Sequence, residues 1–159
     1  MPARGAIRVA VVGATGYTGA ELLRYLARHP HVALTAVTSE QSAGKAIADV
    51  YPSLRGKVDL PLFAFDAARV AAESDVAFIG LPHGVAANAV AALLERNVRV
   101  VDLSADFRFR DADEYARIYQ SHPAPHLLGP GATSILAKRT QEQLTERTQE
   151  PSPQPASIA

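Results

Sequence analysis

Residues 10–23 read AVVGATGYTGAELL: an apolar run that ends at a glycine, two more glycines at three-residue intervals, and then a helical pattern. The run begins at Ile7, and Ile7–Val12 (IRVAVV) is short, β-branched and stopped by Gly13, which predicts a strand buried on both faces. Beyond the glycines, Leu22, Leu23, Leu26 and Ala27 fall at helical spacing, predicting a helix over residues 16–28 that His29-Pro30 closes. A strand, a glycine turn and a helix in that order suit a dinucleotide. Backbone without Cβ lets a pyrophosphate approach, and a helix N-terminus offers free N–H groups and partial positive charge. Gly13, Gly16 and Gly19 follow the spacing G-x-x-G-x-x-G, with the hydroxyls of Thr15 and Thr18 beside them. A tight turn built only for packing is the competing reading of the same three glycines.

The alternation continues along the chain. Strands are predicted at Val32–Thr38, Leu62–Phe65, Asp75–Gly80 and Val98–Leu103. Helices are predicted over residues 45–50, 67–73, 84–96 and 111–120. Strands alternating with helices imply an α/β fold with a mainly parallel sheet. After Leu128 the composition changes. Residues 129–159 hold four large aliphatic side chains (Ile135, Leu136, Leu144 and Ile158), repeat Arg-Thr-Gln-Glu at Arg139 and Arg147, and end in a Pro/Ser/Gln run. Such a segment buries too little apolar surface to offset its ordering entropy. The expectation is therefore one α/β domain over residues 1–128 and a low-complexity, largely disordered tail over 129–159, with a short helix over 135–147 as its one candidate element.

Bulk composition narrows the function classes. The 159 residues are 48% hydrophobic and 20% charged, as in an ordinary globular domain. Sixteen basic residues balance sixteen acidic ones, so no basic footprint argues for nucleic acid or an anionic membrane surface. No apolar run approaches the ~20 residues of a membrane span, and the N-terminus breaks into glycines before a secretory core could form. A cytoplasmic setting is the expectation. There is no cysteine, which removes disulfides, thiolate metal sites and thiol nucleophiles from these residues.

The cofactor's adenosine ribose is expected at the end of the second strand. Thr38-Ser39-Glu40-Gln41-Ser42 stands there, with Lys45 just beyond. Glu40 suits a free 2′-hydroxyl, as in NAD enzymes, whereas Ser39, Ser42 and Lys45 suit a 2′-phosphate. Local sequence leaves the choice open.

GATGYTGAELL, TSEQSAGK (Thr38–Lys45) with the following YPSLRG, GLPHGVA (Gly80–Ala86) and VDLSADFR (Val101–Arg108) occur in one order. Together they resemble N-acetyl-gamma-glutamyl-phosphate reductase over residues 7 to about 128. The resemblance implies a Rossmann-like, doubly wound domain and an NADPH-dependent reduction of an acyl phosphate, N-acetyl-glutamyl phosphate, to a semialdehyde in arginine biosynthesis. It implies that Gly13, Thr15, Gly16, Tyr17, Thr18 and Gly19 surround the pyrophosphate. Ser39, Ser42 and Lys45 would lie near a 2′-phosphate, which favours NADP, and Leu81, Pro82 and His83 near the nicotinamide. Ser104, Asp106 and Arg108 would face the substrate, Arg108 meeting its phosphate. Simpler roles compete: His83 as a cap of the next helix, and Asp106 with Arg108 as an exposed turn pair. His29, His31, His122 and His126 lie by prolines or at element ends and are assigned no role.

The family's route needs a thiolate that displaces phosphate, in a motif like NPGCYPT, and a histidine that handles protons. Neither the motif nor any cysteine is present. Ser104 is a weak substitute without an adjacent base. The expectation is a cofactor-binding part, truncated or altered after Leu128 and inactive alone. Two other classes remain. One is a non-catalytic NADP-binding or interaction module, associating with itself or with a full-length reductase. The other is a short-chain-dehydrogenase-like reductase, whose Tyr-x-x-x-Lys is missing after each of the five tyrosines.

Overall fold

Residue chemistry sets the elements in chain order. The computed structural model describes residues 5–128 and the pair 135–136. Strand β1 (Ile7–Val12) leads into α1 (Tyr17–Leu26), then β2 (Val32–Thr38), α2 (Ile47–Val50), β3 (Leu62–Phe63) and α3 (Ala67–Glu73). Next come β4 (Val76–Ile79), α4 (Ala86–Leu94), β5 (Arg99–Asp102), α5 (Ala112–Ile118) and β6 (Ile135–Leu136). The sheet order is β3-β2-β1-β4-β5-β6. The first five strands are parallel, and β6 runs antiparallel to β5. This is the doubly wound Rossmann arrangement, and the chain reverses direction across the sheet between β1 and β4. A crevice opens at the carboxyl ends of those strands.

Strand β1 shows why the sheet is buried on both sides. Successive side chains of a strand point to opposite faces. Ala10 and Val12 join one core with Ile79, Val90, Leu93 and Val100, while Val11 joins the other with Leu23, Val37, Ile47 and Leu62. The β1–β2 register slips between Val9 and Ala10, and the extra residue is Thr35. Its hydroxyl reaches Val9 O at 3.3 Å and Ser74 Oγ at 2.8 Å, so the bulge leaves few polar groups unserved.

Several elements are shorter than their sequence patterns. Helix α1 begins after Gly16, whose backbone is extended, and closes through Arg28 N–H to Tyr25 O and His29 N–H to Leu26 O before Pro30. Helix α4 starts at Ala86 because Gly84 has φ +79°, and Asn97 at φ 61° turns the chain just past it. Strand β3 covers Leu62–Phe63 where a run to Phe65 was expected. Residues 135 and 136 form β6, not the start of a helix: Val101 and Val100 pair with Ile135 and Leu136 along the otherwise free edge of β5. An open edge with unpaired N–H and C=O groups outweighs a weak helical pattern. The rest of the expected tail helix, and the disorder expected of the last ten residues, lie outside the described residues.

Candidate functional site

The glycine turn closes the gap between β1 and α1. Ala14 N–H donates to Thr38 O at 2.8 Å, Gly13 N–H to Thr38 Oγ1 at 3.3 Å, and Tyr51 Oη–H to Thr15 O at 2.6 Å. Thr15 Oγ1 lies 2.7 Å from Ser39 Oγ. Loop and turn are thus held from β2 and from the residue after α2.

The three glycines are needed for different reasons. Gly13 has φ +80°, and a Cβ there would lie 2.8 Å from Gly80 O. A Cβ at Gly19 would collide with Gly13 O and lie 2.7 Å from Ala14 Cα. At Gly16 the nearest protein atom, Gly13 O, would be 3.6 Å away, an ordinary contact, and the φ of −79° suits any residue. The fold thus demands glycine at 13 and 19 but not at 16. Gly16 precedes α1, whose N-terminus has no side-chain cap and no acidic residue in its first turn. The N–H groups there remain available to an anion.

A cavity of about 550 Å³ opens at this point, a size usual for small-molecule sites. Its floor is Gly13, Thr15, Gly16 and Gly80, and its far wall is Leu81, Pro82, Val85, Asn88 and Ala89. Thr38, Ser39, Glu40, Gln41 and Phe65 form the side towards β2 and β3. Glu40 does not project freely: its carboxylate accepts Phe65 N–H at 2.8 Å. The donor groups at the α1 terminus and the glycine floor fit a nucleotide's phosphates.

The expected site residues separate into groups. Gly13, Thr15, Gly16, Ser39, Leu81 and Pro82 line one cavity. Tyr17 is almost fully exposed, Thr18 is exposed, and Gly19 is buried beneath the turn. Ser42 and Lys45 follow in the next turn, outside the lining, with Lys45 N–H bonded to Ser42 O. His83 faces a separate cavity of about 420 Å³, its ring 4.8 Å from Tyr119.

Ser104, Asp106 and Arg108 share the loop after β5 but face differently. Arg108 is exposed. Ser104 Oγ–H donates to Asp102 Oδ2 at 2.7 Å and the same oxygen accepts Asp106 N–H at 3.1 Å. Asp106 is fully buried. Its carboxylate accepts Gly84 N–H at 2.8 Å, Ala87 N–H at 2.9 Å and Tyr115 Oη–H at 2.7 Å. Asp106 is neither an exposed turn residue nor a group pointing outward to a ligand. It caps α4, which has no cap or acidic first turn of its own, at the end where the helix dipole favours negative charge. His83 does not provide that cap.

Burial and donation to Asp106 push the Tyr115 hydroxyl up to about 12. His122 is also buried: Nδ1 accepts Ala124 N–H at 3.0 Å, so Nε2 carries the proton and donates to Asp106 O at 2.9 Å. Burial raises the Asp102 carboxyl above its ordinary value, against the hydrogen bonds from Ser104. Among the described residues no group of three or more His, Asp or Glu could hold a metal ion.

Sequence reasoning did not single out Phe65, Val85, Asn88 and Ala89 in the cavity wall, nor Tyr51 and Tyr115 behind it. Val85, Asn88 and Ala89 had a usable signal. They sit at i, i+3 and i+4 in the element after β4, which the switch-point rule aims at the crevice. Tyr51 opens the quoted YPSLRG, but its contact was hidden, since its partner is 36 positions away.

A family model described as "Semialdehyde dehydrogenase, NAD binding domain" matches residues 8–146. N-acetyl-gamma-glutamyl-phosphate reductase of Geobacter sulfurreducens is 52% identical over 122 residues, covering 77% of this chain and 35% of that protein. The Azotobacter vinelandii protein of the same name is 48% identical over 139 residues, covering 87% and 40%. Among solved structures, aspartate semialdehyde dehydrogenase with NADP from Candida albicans aligns with a TM-score of 0.61 at 26% identity, over 67% of this chain and 32% of that one. Aspartate semialdehyde dehydrogenase II of Vibrio cholerae gives 0.53 at 25% identity, over 65% and 30%. The chain spans between a third and two fifths of the length of the curated relatives it matches. With the glycine turn, the strand order and the cavity in agreement, the chain belongs to the family of semialdehyde dehydrogenase NAD-binding domains.

Proposed function

We propose that this chain is the NADPH-holding part of an N-acetyl-gamma-glutamyl-phosphate reductase. The observation that carries the reading is the uncapped N-terminus of α1 at the cavity, beside a glycine whose smallness the protein itself does not require. Support for NADP comes from the neighbour solved with that cofactor, and for a nicotinamide dinucleotide from the matching family model.

Gly13, Thr15, Gly16 and the N–H groups of Tyr17 and Thr18 would hold the pyrophosphate, with Gly19 letting the turn sit close on α1. Ser39, Ser42 and Lys45 would receive the 2′-phosphate. Glu40, engaged with Phe65 N–H, would be turned from that group. Leu81 and Pro82 would border the nicotinamide, with His83 next to them turned to the neighbouring cavity, and Ser104 and Arg108 the acyl phosphate, with Asp106 holding their loop from within. Bound NADPH supplies a hydride. Reduction through a thioester also needs a thiolate to displace phosphate, and these residues include no cysteine. The chain alone therefore binds cofactor without turning over substrate. The same absence favours a second reading, a non-catalytic NADP-binding partner of a complete reductase.

Two measurements test this. Gly16→Val should weaken NADPH binding about tenfold or more while lowering the melting temperature by no more than about 5 °C, because a Cβ there meets no protein atom closer than 3.6 Å. Equal affinity in the two proteins overturns the phosphate assignment. NADPH oxidation with N-acetyl-glutamyl phosphate should stay at background, and turnover above it overturns the inactivity.

A further inference from the structure

The far wall of the cofactor cavity is one short piece of chain, from Gly80 through the first turn of α4. Locally it is held only by a turn, Val85 and Ala86 N–H donating to Pro82 O at 3.3 and 3.1 Å. Gly84 has φ +79°, the α4 N-terminus has no cap of its own, and Val85 is exposed. Its anchor comes from the next βα loop: both oxygens of Asp106 lie within 2.9 Å of Gly84 N, and one also accepts Ala87 N–H. The carboxylate is fully buried and meets no cation among the described residues; the third donor to it is Tyr115 Oη–H from α5. Its own backbone is fixed by Ser104 Oγ and His122 Nε2. One buried charge thus ties the β4–α4 wall to the loop that carries Arg108.

We propose that Asp106, with Tyr115 as its hydrogen donor, is a positioning residue that sets the nicotinamide-side wall of the cavity, Leu81 to Val85, and couples it to the loop bearing Arg108. The inference rests on the nucleotide reading above. It extends it by assigning a job to two side chains that touch no ligand. The adenosine side, built from β2 and the glycine turn, does not depend on this carboxylate.

Hydrogen exchange of the whole chain without ligand tests the anchor itself. Asp106→Asn, which keeps size but removes charge and one acceptor, should speed exchange of the amides of residues 84–89 and leave those of β1 and β2 unchanged. Tyr115→Phe, which removes one hydroxyl and keeps the ring, should do the same to a smaller degree. Unchanged exchange at 84–89 in both variants overturns the proposal.

Titration with NADPH and with adenosine 2′,5′-bisphosphate tests the consequence. In Asp106→Asn the NADPH dissociation constant should rise about tenfold while that of the bisphosphate stays within about twofold. Equal weakening of both ligands marks a merely structural role and overturns the proposal. Tyr115→Phe decides the case if Asp106→Asn does not fold, with NADPH weakened about threefold and the bisphosphate unchanged. Wild-type protein that binds neither ligand refutes the nucleotide reading, while the exchange result still reports on the anchor.

Discussion

Gly13, Gly16 and Gly19 look equivalent in the sequence, yet a methyl group would have a different consequence at each. At Gly13 it would meet Gly80 O in a left-handed backbone, and at Gly19 it would press into Gly13 O and Ala14. Gly13→Ala and Gly19→Ala should each destabilise the fold by about 1–3 kcal/mol, measured by chemical denaturation. Gly16→Ala should cost less than about 1 kcal/mol. A loss at 16 as large as at 13 would show that this glycine, too, serves packing. Residue-scale electrostatics offer a second check. Burial raises the Asp102 carboxyl above 3.8, whereas hydrogen bonds from Arg8 hold that of Asp75 below it. For Asp102 the unfolded chain gives up its proton first as pH rises. Its contribution is full below about 3.9 and is lost on rising through the higher folded value. Asp75 behaves oppositely, its contribution present above about 3.9 and lost as pH falls through its lower folded value. Half-exposed and screened, the Arg8–Asp75 pair contributes little. Asp102→Asn should therefore flatten the decline in stability on the alkaline side of about pH 4 and leave the acid limb in place. A pH profile parallel to wild type would contradict the burial argument.

Helix ends show what a sequence discloses at the scale of elements and what it hides. Asp66 and Asp111 each stand directly before a helix, and each accepts two N–H groups of the first turn, Ala68 and Arg69 or Asp113 and Glu114. Asp66→Ala should cost about 1 kcal/mol in thermal or chemical unfolding, as lost local caps do. No change would show that α3 is held by packing alone. Local caps of that kind are legible because cap and helix adjoin in sequence. The cap of α4 is not, because Asp106 lies 19 residues beyond Ala87 and reaches it only once β4 and β5 pair. Strand β1, the glycine turn and the parallel order were readable from apolar runs and punctuation. The site was only half readable. Backbone-defined parts such as Gly13, Gly16 and Leu81 announce themselves locally, whereas Tyr51 and Phe65 act through contacts 36 and 25 positions away. Ile135–Leu136 illustrates the same limit: partner strand β5, not its own pattern, decides its state.

Over the whole molecule, two cores flank one sheet, and the cavity sits where their helices diverge, between the α1 turn and the α4 wall. In the proposed reading binding is a property of the assembled sheet, with phosphate contacts coming from one side of the switch point and the nicotinamide wall from the other. It also makes stability and binding linked: a ligand present at about 100 times its dissociation constant adds ~2.7 kcal/mol. The most direct test of the central claim is a calorimetric titration of the purified chain with NADPH and, separately, with NADH. The account predicts one NADPH per chain and NADH at least about tenfold weaker. Binding of neither nucleotide, or equal binding of both, would contradict it, the first by removing the cofactor and the second by removing the 2′-phosphate site at Ser39, Ser42 and Lys45.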